Sequence, residues 1–219
     1  MFGSSKIPFL FLFSIVLFFI IFTGAAADVV IYLKNGEIVK VPVNKEDIAS
    51  ISFDEKSGAG ASIDWGFESG TLSGWEKKGL SFNNQPTYGD NPTARHRAEP
   101  SRHEGNYWIG TYENRSKPED NPGGVQGEEP KGVLVSVPFV IEKPSITFLI
   151  GGGCNVNAER AELVINGEAV LKATGQCRET MERQSWDVSP YIGQRAQIRL
   201  VDASSGEWGH INFDDVRFE

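Results

Sequence analysis

The sequence has few of the residues on which metal and thiol chemistry depend. Its 219 residues include two cysteines and three histidines. Cys154 and Cys177 lack the Cys-x-x-Cys spacing of zinc and redox sites. His96 lies between two arginines, which oppose a bound cation at that position. These features argue against a zinc centre and against thiol redox catalysis.

Basic residues are also in deficit. The chain has 21 Lys and Arg against 29 Asp and Glu, and its formal net charge is -8. Nonspecific nucleic-acid binding depends on neutralising phosphates, and adhesion to anionic lipid depends on clusters of Lys and Arg. We therefore expect no nucleic-acid partner and no attraction to an anionic membrane surface.

Common catalytic and nucleotide-binding motifs are missing. The glycine run 151–153 is followed by neither Lys-Ser/Thr nor a helix, so it does not match a phosphate-binding loop. No Gly-x-Ser-x-Gly motif occurs. Glu68 and Asp215 offer a carboxylate pair of the kind that glycosidases use, but a chain with 29 acids contains many such pairs. We expect a protein that is not an enzyme, with a small glycoside hydrolase as an alternative.

The chain begins with the pattern of a secretory signal peptide, residues 1–27. Lys6 precedes an uncharged run over residues 7–22, and Ala25 and Ala27 match a peptidase site. We expect cleavage after Ala27, which gives a secreted or extracytoplasmic protein (periplasm or cell surface) without stable membrane insertion. The alternative is an uncleaved leader that anchors the protein, although the run is shorter than the roughly 20 residues of a spanning helix.

Export favours a disulfide between the two cysteines over two free thiols. Residues 161–165 and 169–173 are predicted to pair as a hairpin around an Asn-Gly turn at 166–167. Cys154 precedes this hairpin and Cys177 follows it, so both lie at its open end. A Cys154–Cys177 bond there would stabilise the fold by roughly 3 kcal/mol.

Two short segments separate the leader from the main domain. Residues 28–54 form a small β unit, in which an Asn-Gly turn at 35–36 joins two strands and a further apolar stretch follows at 47–53. A unit of this size is marginally stable alone. Residues 55–62 are rich in Gly, Ala and Ser and predict a flexible linker.

The main domain, residues 63–219, shows apolar residues that alternate with polar ones. The alternating segments are 63–67, 107–112, 133–139, 146–150 and 195–200. Period two, with Gly, Asn and Pro between segments, indicates antiparallel strands with one buried face. We therefore predict an all-β fold, an antiparallel β-sandwich of jelly-roll type preceded by the small N-terminal β-hairpin unit.

Two irregular places interrupt this pattern. The apolar phase shifts at 214–215, which predicts a β-bulge in the last strand. Residues 113–131 are polar and rich in Pro and Gly, which predicts a mobile surface loop, or a lid if it borders a site.

Several motifs occur in the order found in a known family. Phe67-Glu68-Ser69-Gly70 is followed by GNYWIGTY at 105–112 and by WGHINFDDV at 208–216. This order resembles the family 66 carbohydrate-binding modules, non-catalytic β-sandwich domains attached to levanases and related fructan-cleaving enzymes. The resemblance covers about 63–218 and is most specific at 208–216. It implies a sandwich that binds a carbohydrate, without the catalytic domain that usually accompanies it.

A sugar site needs a small apolar surface with a few fixed polar groups. Suitable side chains concentrate in residues 88–104 and 207–210, which we expect to meet at one end of the sandwich. The candidate ligand-binding residues are Tyr88, Asp90, Arg95, Arg97, His103, Glu104, Glu207, Trp208 and His210. The other tryptophans, Trp65, Trp75, Trp108 and Trp186, are expected in the core.

The resemblance also implies a structural Ca²⁺. Related modules often hold this ion between the first and last strands, and Glu68 and Asp215 match the positions of its ligands. Ca²⁺ takes 6–8 oxygen ligands, so backbone carbonyls and water would complete the site. The alternative is that both acids are solvated or salt-bridged.

These features predict an exported, non-catalytic glycan-binding module. Its partner would be a glycan or polysaccharide, bound weakly at one end of the sandwich. The alternative is a structural or interaction module of the cell envelope or extracellular matrix, with a protein partner and no sugar site.

Overall fold

The computed structural model describes residues 19–22, 26–32, 38–44 and 63–219, and the chain divides into two units, Met1–Glu55 and Lys56–Glu219. The first unit holds an antiparallel sheet of β1 (Phe19–Phe22), β2 (Ala26–Tyr32) and β3 (Ile38–Asn44), in that order. The pairing of β2 with β3 agrees with the hairpin expected around 35–36. Strand β1 belongs to the expected leader, and cleavage after Ala27 stays a prediction. The stretch 47–53 and the linker 55–62 lie outside the described residues.

The second unit is built from two antiparallel sheets, which confirm the predicted β-sandwich. One sheet has the order β11-β10-β13-β7-β4, with β8 also paired to β13, and the other has the order β12-β9-β14-β6-β5. The strands are β4 (Trp75–Gly79), β5 (Thr87–Tyr88), β6 (Tyr107–Gly110), β7 (Gly132–Ser136), β8 (Phe139–Val140), β9 (Ser145–Gly152), β10 (Glu159–Ile165), β11 (Glu168–Ala173), β12 (Arg178–Asp187), β13 (Arg195–Asp202) and β14 (Ile211–Phe218). A single helical turn, α1 (Asn91–Ala94), and a 3₁₀ turn (Ser189–Tyr191) complete the described elements. Among the described residues, no helix is long and apolar enough to cross a membrane.

Aromatic side chains fill much of the space between the sheets. Trp75 and Trp186 are buried in the core cluster, and the half-buried Trp65 packs edge-on against Trp75 and Phe139. Trp108 is also buried, but it belongs to a separate small cluster with Leu149 and Met181. Because neighbouring residues of a strand point to opposite faces, Trp108 lies on the face of its sheet that turns away from the core.

The predicted strand at 63–67 is wrong, because this segment curls into turns. The Asp64 carboxylate accepts the backbone N–H groups of Glu68 and Ser69, and Phe67 has a φ of 59°. These bonds bend the chain, so it cannot join a ladder. The apolar side chains still reach the core, where Phe67 is fully buried. The apolar alternation over 63–67 therefore predicted burial correctly and the backbone conformation incorrectly.

The hairpin and the bulge that the sequence predicts are both present. Strands β10 and β11 pair around the turn at 166–167, and Cys154 and Cys177 form the expected disulfide. In β14 the register shifts between Asp214 and Arg217, which confirms the bulge. This bulge separates the environments of two neighbouring acids.

Candidate functional site

The candidate site lies at one end of the five-stranded sheet. In the register of this sheet, Arg178 and Ile211 both pair with Gly152, and Asn212 pairs with Gly110. The starts of β12 and β14 and the end of β6 therefore lie side by side. The residues just beyond these strand ends are brought together although they are distant in the sequence.

A cavity of about 200 Å³ opens at this position. It is lined by Arg95, Arg97, Tyr112, Glu128, Glu179, Glu207, Trp208 and His210. Five of the nine candidate ligand-binding residues are among them, so segments 88–104 and 207–210 meet as expected. Tyr112, Glu128 and Glu179 were missed by the sequence analysis.

Glu179 is the centre of the ionic network that forms the floor of the cavity. Its side chain is 3% exposed and contacts Arg95, with Arg97 Nε and His210 Nε2 each 3.6 Å from a carboxylate oxygen. Burial raises the pKa of Glu179, but hydrogen bonding and charge from His210 and Arg95 outweigh burial and lower it to about 2. Glu179 is therefore an ionised anchor for Arg95 and His210, and it also attracts the more exposed Arg97.

His210 connects this floor to the long loop. Its Nδ1 atom lies 3.1 Å from both carboxylate oxygens of Glu128, and its side chain is 3% exposed. Burial lowers the pKa of His210, but hydrogen bonds and charge from Glu128 and Glu179 raise it to about 9. The imidazole is therefore protonated at neutral pH, with one carboxylate facing each ring nitrogen.

Arg95 forms ion pairs with two buried acids, Glu113 and Glu179. Its guanidinium contacts Glu179 and binds Glu113 Oε1 at 3.0 Å, and its Cζ atom lies 4.8 Å from the centroid of the Tyr112 ring. Asn91 donates to the other oxygen of Glu113 at 2.5 Å. Since its Nε and Nη2 atoms bind these two acids, Arg95 holds the shape of the cavity.

The outer wall carries the side chains that are less constrained. Arg97 is 45% exposed and its Cζ atom lies 5.6 Å from the centroid of the Trp208 ring. Trp208 is half-buried and adopts a φ of 60°, in the left-handed region that non-glycine residues seldom occupy. In the described part of the chain, the Glu207 carboxylate makes no hydrogen bond or ion pair. These three side chains are therefore available to a ligand.

The long segment 113–131, predicted as a mobile surface loop or as a lid beside a site, is hydrogen-bonded to the sandwich. A bridge pairs Glu113 with Val125, and the Gln126 side chain donates to the carbonyl oxygens of Ser81 (2.7 Å) and Thr111 (2.6 Å). Proline and glycine predicted an irregular path correctly, but these bonds hold that path against the sandwich. The segment borders the cavity and presents Glu128 to His210.

Four of the candidate residues do not line the cavity. Asp90 caps α1 and accepts hydrogen bonds from the N–H of Ser101 and of residue 93. His103 is bonded to the Ser101 hydroxyl at 2.7 Å, and burial lowers its pKa. Tyr88 is half-buried and Glu104 is exposed. The site predicted from residues 88–104 therefore reduces to Arg95 and Arg97.

The two expected calcium ligands have different surroundings. Glu68 accepts the backbone N–H groups of Asn106 and Tyr107. The Asp215 carboxylate contacts the guanidinium groups of Arg183 and Arg217. Two arginines at one carboxylate repel a metal cation, so Asp215 does not fit a calcium site.

Asp214, on the other side of the bulge, fits a cation better. It is fully buried and accepts N–H groups from Glu104 and Asp215. Burial, with repulsion from Asp215 and Glu68, raises the pKa of Asp214 to about 8. Within the described ranges, no three His, Cys, Asp or Glu side chains form a group that could hold a metal ion, so backbone oxygens and water would have to contribute.

Comparisons with known proteins give a partial relationship. No family model matches the chain. A putative glycosyl hydrolase, ecdE of Aspergillus rugulosus, is 43% identical over 94 residues. The match covers 43% of this chain and 13% of ecdE. Membership of family 66 stays a prediction.

Solved structures give distant resemblances. The K1 cleaved adhesin domain of Lys-gingipain from Porphyromonas gingivalis W83 is 14% identical, with a TM-score of 0.41 over 70% of this chain and 95% of that domain. TmCBM61, solved in complex with β-1,4-galactotriose, is 16% identical, with a TM-score of 0.41 over 73% of this chain and 98% of that protein. Scores at this level support no argument about function.

Proposed function

We propose that this protein is an exported, non-catalytic module that binds a neutral sugar residue in the cavity beside Trp208. The observation that carries the proposal is the outer wall, where Arg97, Glu207 and the Trp208 ring are available above a floor whose ions are paired. A sugar presents C–H groups to an aromatic ring and hydroxyl groups to a carboxylate and a guanidinium. The wall supplies all three partners.

The charges of the lining favour a neutral guest. Three cationic and three anionic side chains line the cavity: Arg95, Arg97, His210, Glu128, Glu179 and Glu207. These charges cancel when His210 is protonated, as its raised pKa indicates. A charged guest would leave an uncompensated charge in a partly desolvated space, which is unfavourable.

The size of the cavity favours a single sugar residue. Its volume of about 200 Å³ is below the roughly 300–1,000 Å³ of pockets for drug-sized ligands. A terminal residue of a glycan fits this description better than an internal stretch. One bound residue provides few contacts, so we expect weak binding that becomes effective through repeated ends on a polysaccharide.

The partial match to ecdE supports a carbohydrate context. The shared 94 residues are 13% of that putative glycosyl hydrolase, so they correspond to a small part of a larger protein. The disulfide is typical of oxidising, extracytoplasmic compartments. Both facts agree with a binding module that acts outside the cytoplasm.

Two of the three carboxylates of the cavity are committed to contacts within the protein, which leaves no free carboxylate pair for hydrolysis. Glu179, with a pKa of about 2, stays ionised and cannot act as a general acid. Both oxygens of Glu128 face His210. Glu68 and Asp215, the pair considered from the sequence, do not line the cavity. Release of sugar from levan or a chromogenic glycoside by the purified chain would contradict a purely binding role.

The binding proposal is tested with matched variants on a glycan array and by affinity electrophoresis in levan. Trp208→Ala and Glu207→Gln should each weaken retention at least about tenfold, with little change in melting temperature. Glu119→Gln, an exposed acid elsewhere on the loop, is the control and should bind like the wild type. Binding that survives both cavity changes would refute this site. Absence of binding to every glycan would favour the structural or interaction module.

We also propose that the structural calcium implied by the family resemblance uses Glu68 with Asp214. The buried Asp214 carboxylate lacks an arginine among its described contacts, whereas Asp215 has two. A chelator should then lower the melting temperature of the wild type and of Asp215→Asn. If the chelator effect is as large in Asp214→Asn as in the wild type, Asp214 is not a ligand.

A further inference from the structure

Two buried acids occupy opposed positions on neighbouring strands of the other sheet. Glu159 begins β10 and Asp202 ends β13, and the two residues are directly opposite in the antiparallel register. They are 3% and 2% exposed. Opposed residues of an antiparallel pair have Cβ atoms about 4.5–5.5 Å apart, and like charges at such positions are destabilising.

Each of these side chains keeps an oxygen without a partner. In the part of the chain that the structure describes, neither Glu159 Oε1 nor Asp202 Oδ1 has a hydrogen-bond partner. The charge of His210 acts on both groups, but that imidazole is already engaged with Glu128 and Glu179. Burial, with repulsion from Glu128, raises the pKa of both carboxyls, and repulsion from Glu159 adds to the rise of Asp202, whose pKa is about 7.

Another acid buried as deeply, Glu162, has arginine partners. Glu162 lies three residues further along β10 than Glu159 and contacts Arg160 and Arg199. Burial raises the pKa of Glu162, but the two arginines outweigh burial and lower it. A buried polar oxygen without a partner is rare in native proteins and indicates an ion or water that completes its bonding.

A backbone oxygen lies close to the Glu159 side chain. A side chain at Gly153 would collide with the carbonyl oxygen of Trp208 and would come within 2.8 Å of Glu159 Cγ. The carbonyl oxygen of Trp208 and the Glu159 side chain are therefore close neighbours. Carboxylate and carbonyl oxygens are the ligands that Ca²⁺ takes.

We infer that Glu159 and Asp202 bind a Ca²⁺ ion together with the carbonyl oxygen of Trp208. The ion would neutralise the opposed carboxylates and hold the segment that carries Glu207 and Trp208. Glu159 and Asp202 supply the two charged ligands, and further carbonyl oxygens and water complete the coordination. This inference does not require the cavity to bind sugar.

The test uses the full chain without sugar, in an Asp214→Asn background that removes the other proposed calcium ligand. Calcium added after chelation should raise the melting temperature, by roughly 5–10 °C at one hundred times Kd. Adding Glu159→Gln and Asp202→Asn should abolish this rise. The same two changes should raise the melting temperature measured in chelator, because the repulsion between the carboxylates is removed.

The control is Glu162→Gln, which neutralises a buried acid that already has partners. It should lower the melting temperature and keep the calcium response. If Asp214→Asn does not fold, Glu68→Gln replaces it as the background. The inference is overturned if calcium does not raise the melting temperature of the Asp214→Asn variant. This holds even if adding Glu159→Gln and Asp202→Asn makes the protein more stable. The inference is equally overturned if calcium still raises the melting temperature after Glu159→Gln and Asp202→Asn are added.

Discussion

His210 and Glu128, 82 residues apart in the sequence, meet with the imidazole Nδ1 atom 3.1 Å from both carboxylate oxygens. The contact joins the residue before β14 to the loop that closes one side of the cavity. The strength of this contact depends on the charge of the imidazole. The position of the loop beside the cavity is therefore expected to depend on pH.

The first prediction concerns that charge. The pKa of His210 rises from 6.5 to about 9 in the folded protein. The stabilisation is therefore fully present below pH 6.5 and is lost as the pH rises through about 9, and it amounts to roughly 3 kcal/mol. Denaturant unfolding between pH 6 and 10 should show this loss.

His210→Gln is the control for the pH experiment, because Asp202 and Asp214 also have raised pKa values, of about 7 and 8. Because their pKa values are also higher in the folded protein, their contributions to stability also fall as the pH rises. The variant should lose the part due to His210 and keep that of Asp214, while the pKa of Asp202 rises further because the His210 charge no longer lowers it. Identical pH profiles for His210→Gln and the wild type would contradict the assignment.

The second prediction concerns Glu179. Glu179→Ala leaves the cations that it holds without their buried counter-charge, and breaking a buried ion pair costs about 3–5 kcal/mol. Glu182, on the same strand, is exposed and pairs with Arg178 at the surface. Glu182→Ala should therefore cost less than about 1 kcal/mol. Urea unfolding of both variants checks the contrast, and equal losses would show that Glu179 is not an anchor.

The sequence predicted the scaffold better than the site. Strand alternation, the Asn-Gly hairpin and the phase shift at 214–215 are local signals, and the fold reproduces them. Glu128 and Glu179 were missed because their partners lie far away in the sequence and nothing nearby marks them as buried. One signal was present: Glu179 has the same parity in β12 as the apolar Met181, two residues further along.

The third prediction concerns the disulfide. Cys154 and Cys177 are 23 residues apart, and their bond restricts the unfolded chain by roughly 3 kcal/mol. Since the chain has no other cysteine, a reductant acts on this bond alone. Reduction should lower the melting temperature by about 5–10 °C, and a Cys154→Ser/Cys177→Ser variant should match the reduced protein. Two alkylatable thiols in the native, untreated protein would contradict the bond.

The fourth prediction separates stability from function at Trp208. Its φ of 60° is unfavourable for a residue with a side chain, by roughly 1–2 kcal/mol, whereas glycine adopts this conformation freely. Trp208→Gly should therefore unfold at higher urea concentration than Trp208→Ala, while both lose the aromatic face and bind levan equally poorly. Such strain is typical of functional sites, where the surrounding structure holds a side chain in place for a ligand. If the glycine variant is no more stable than the alanine variant, the backbone at this position is not strained.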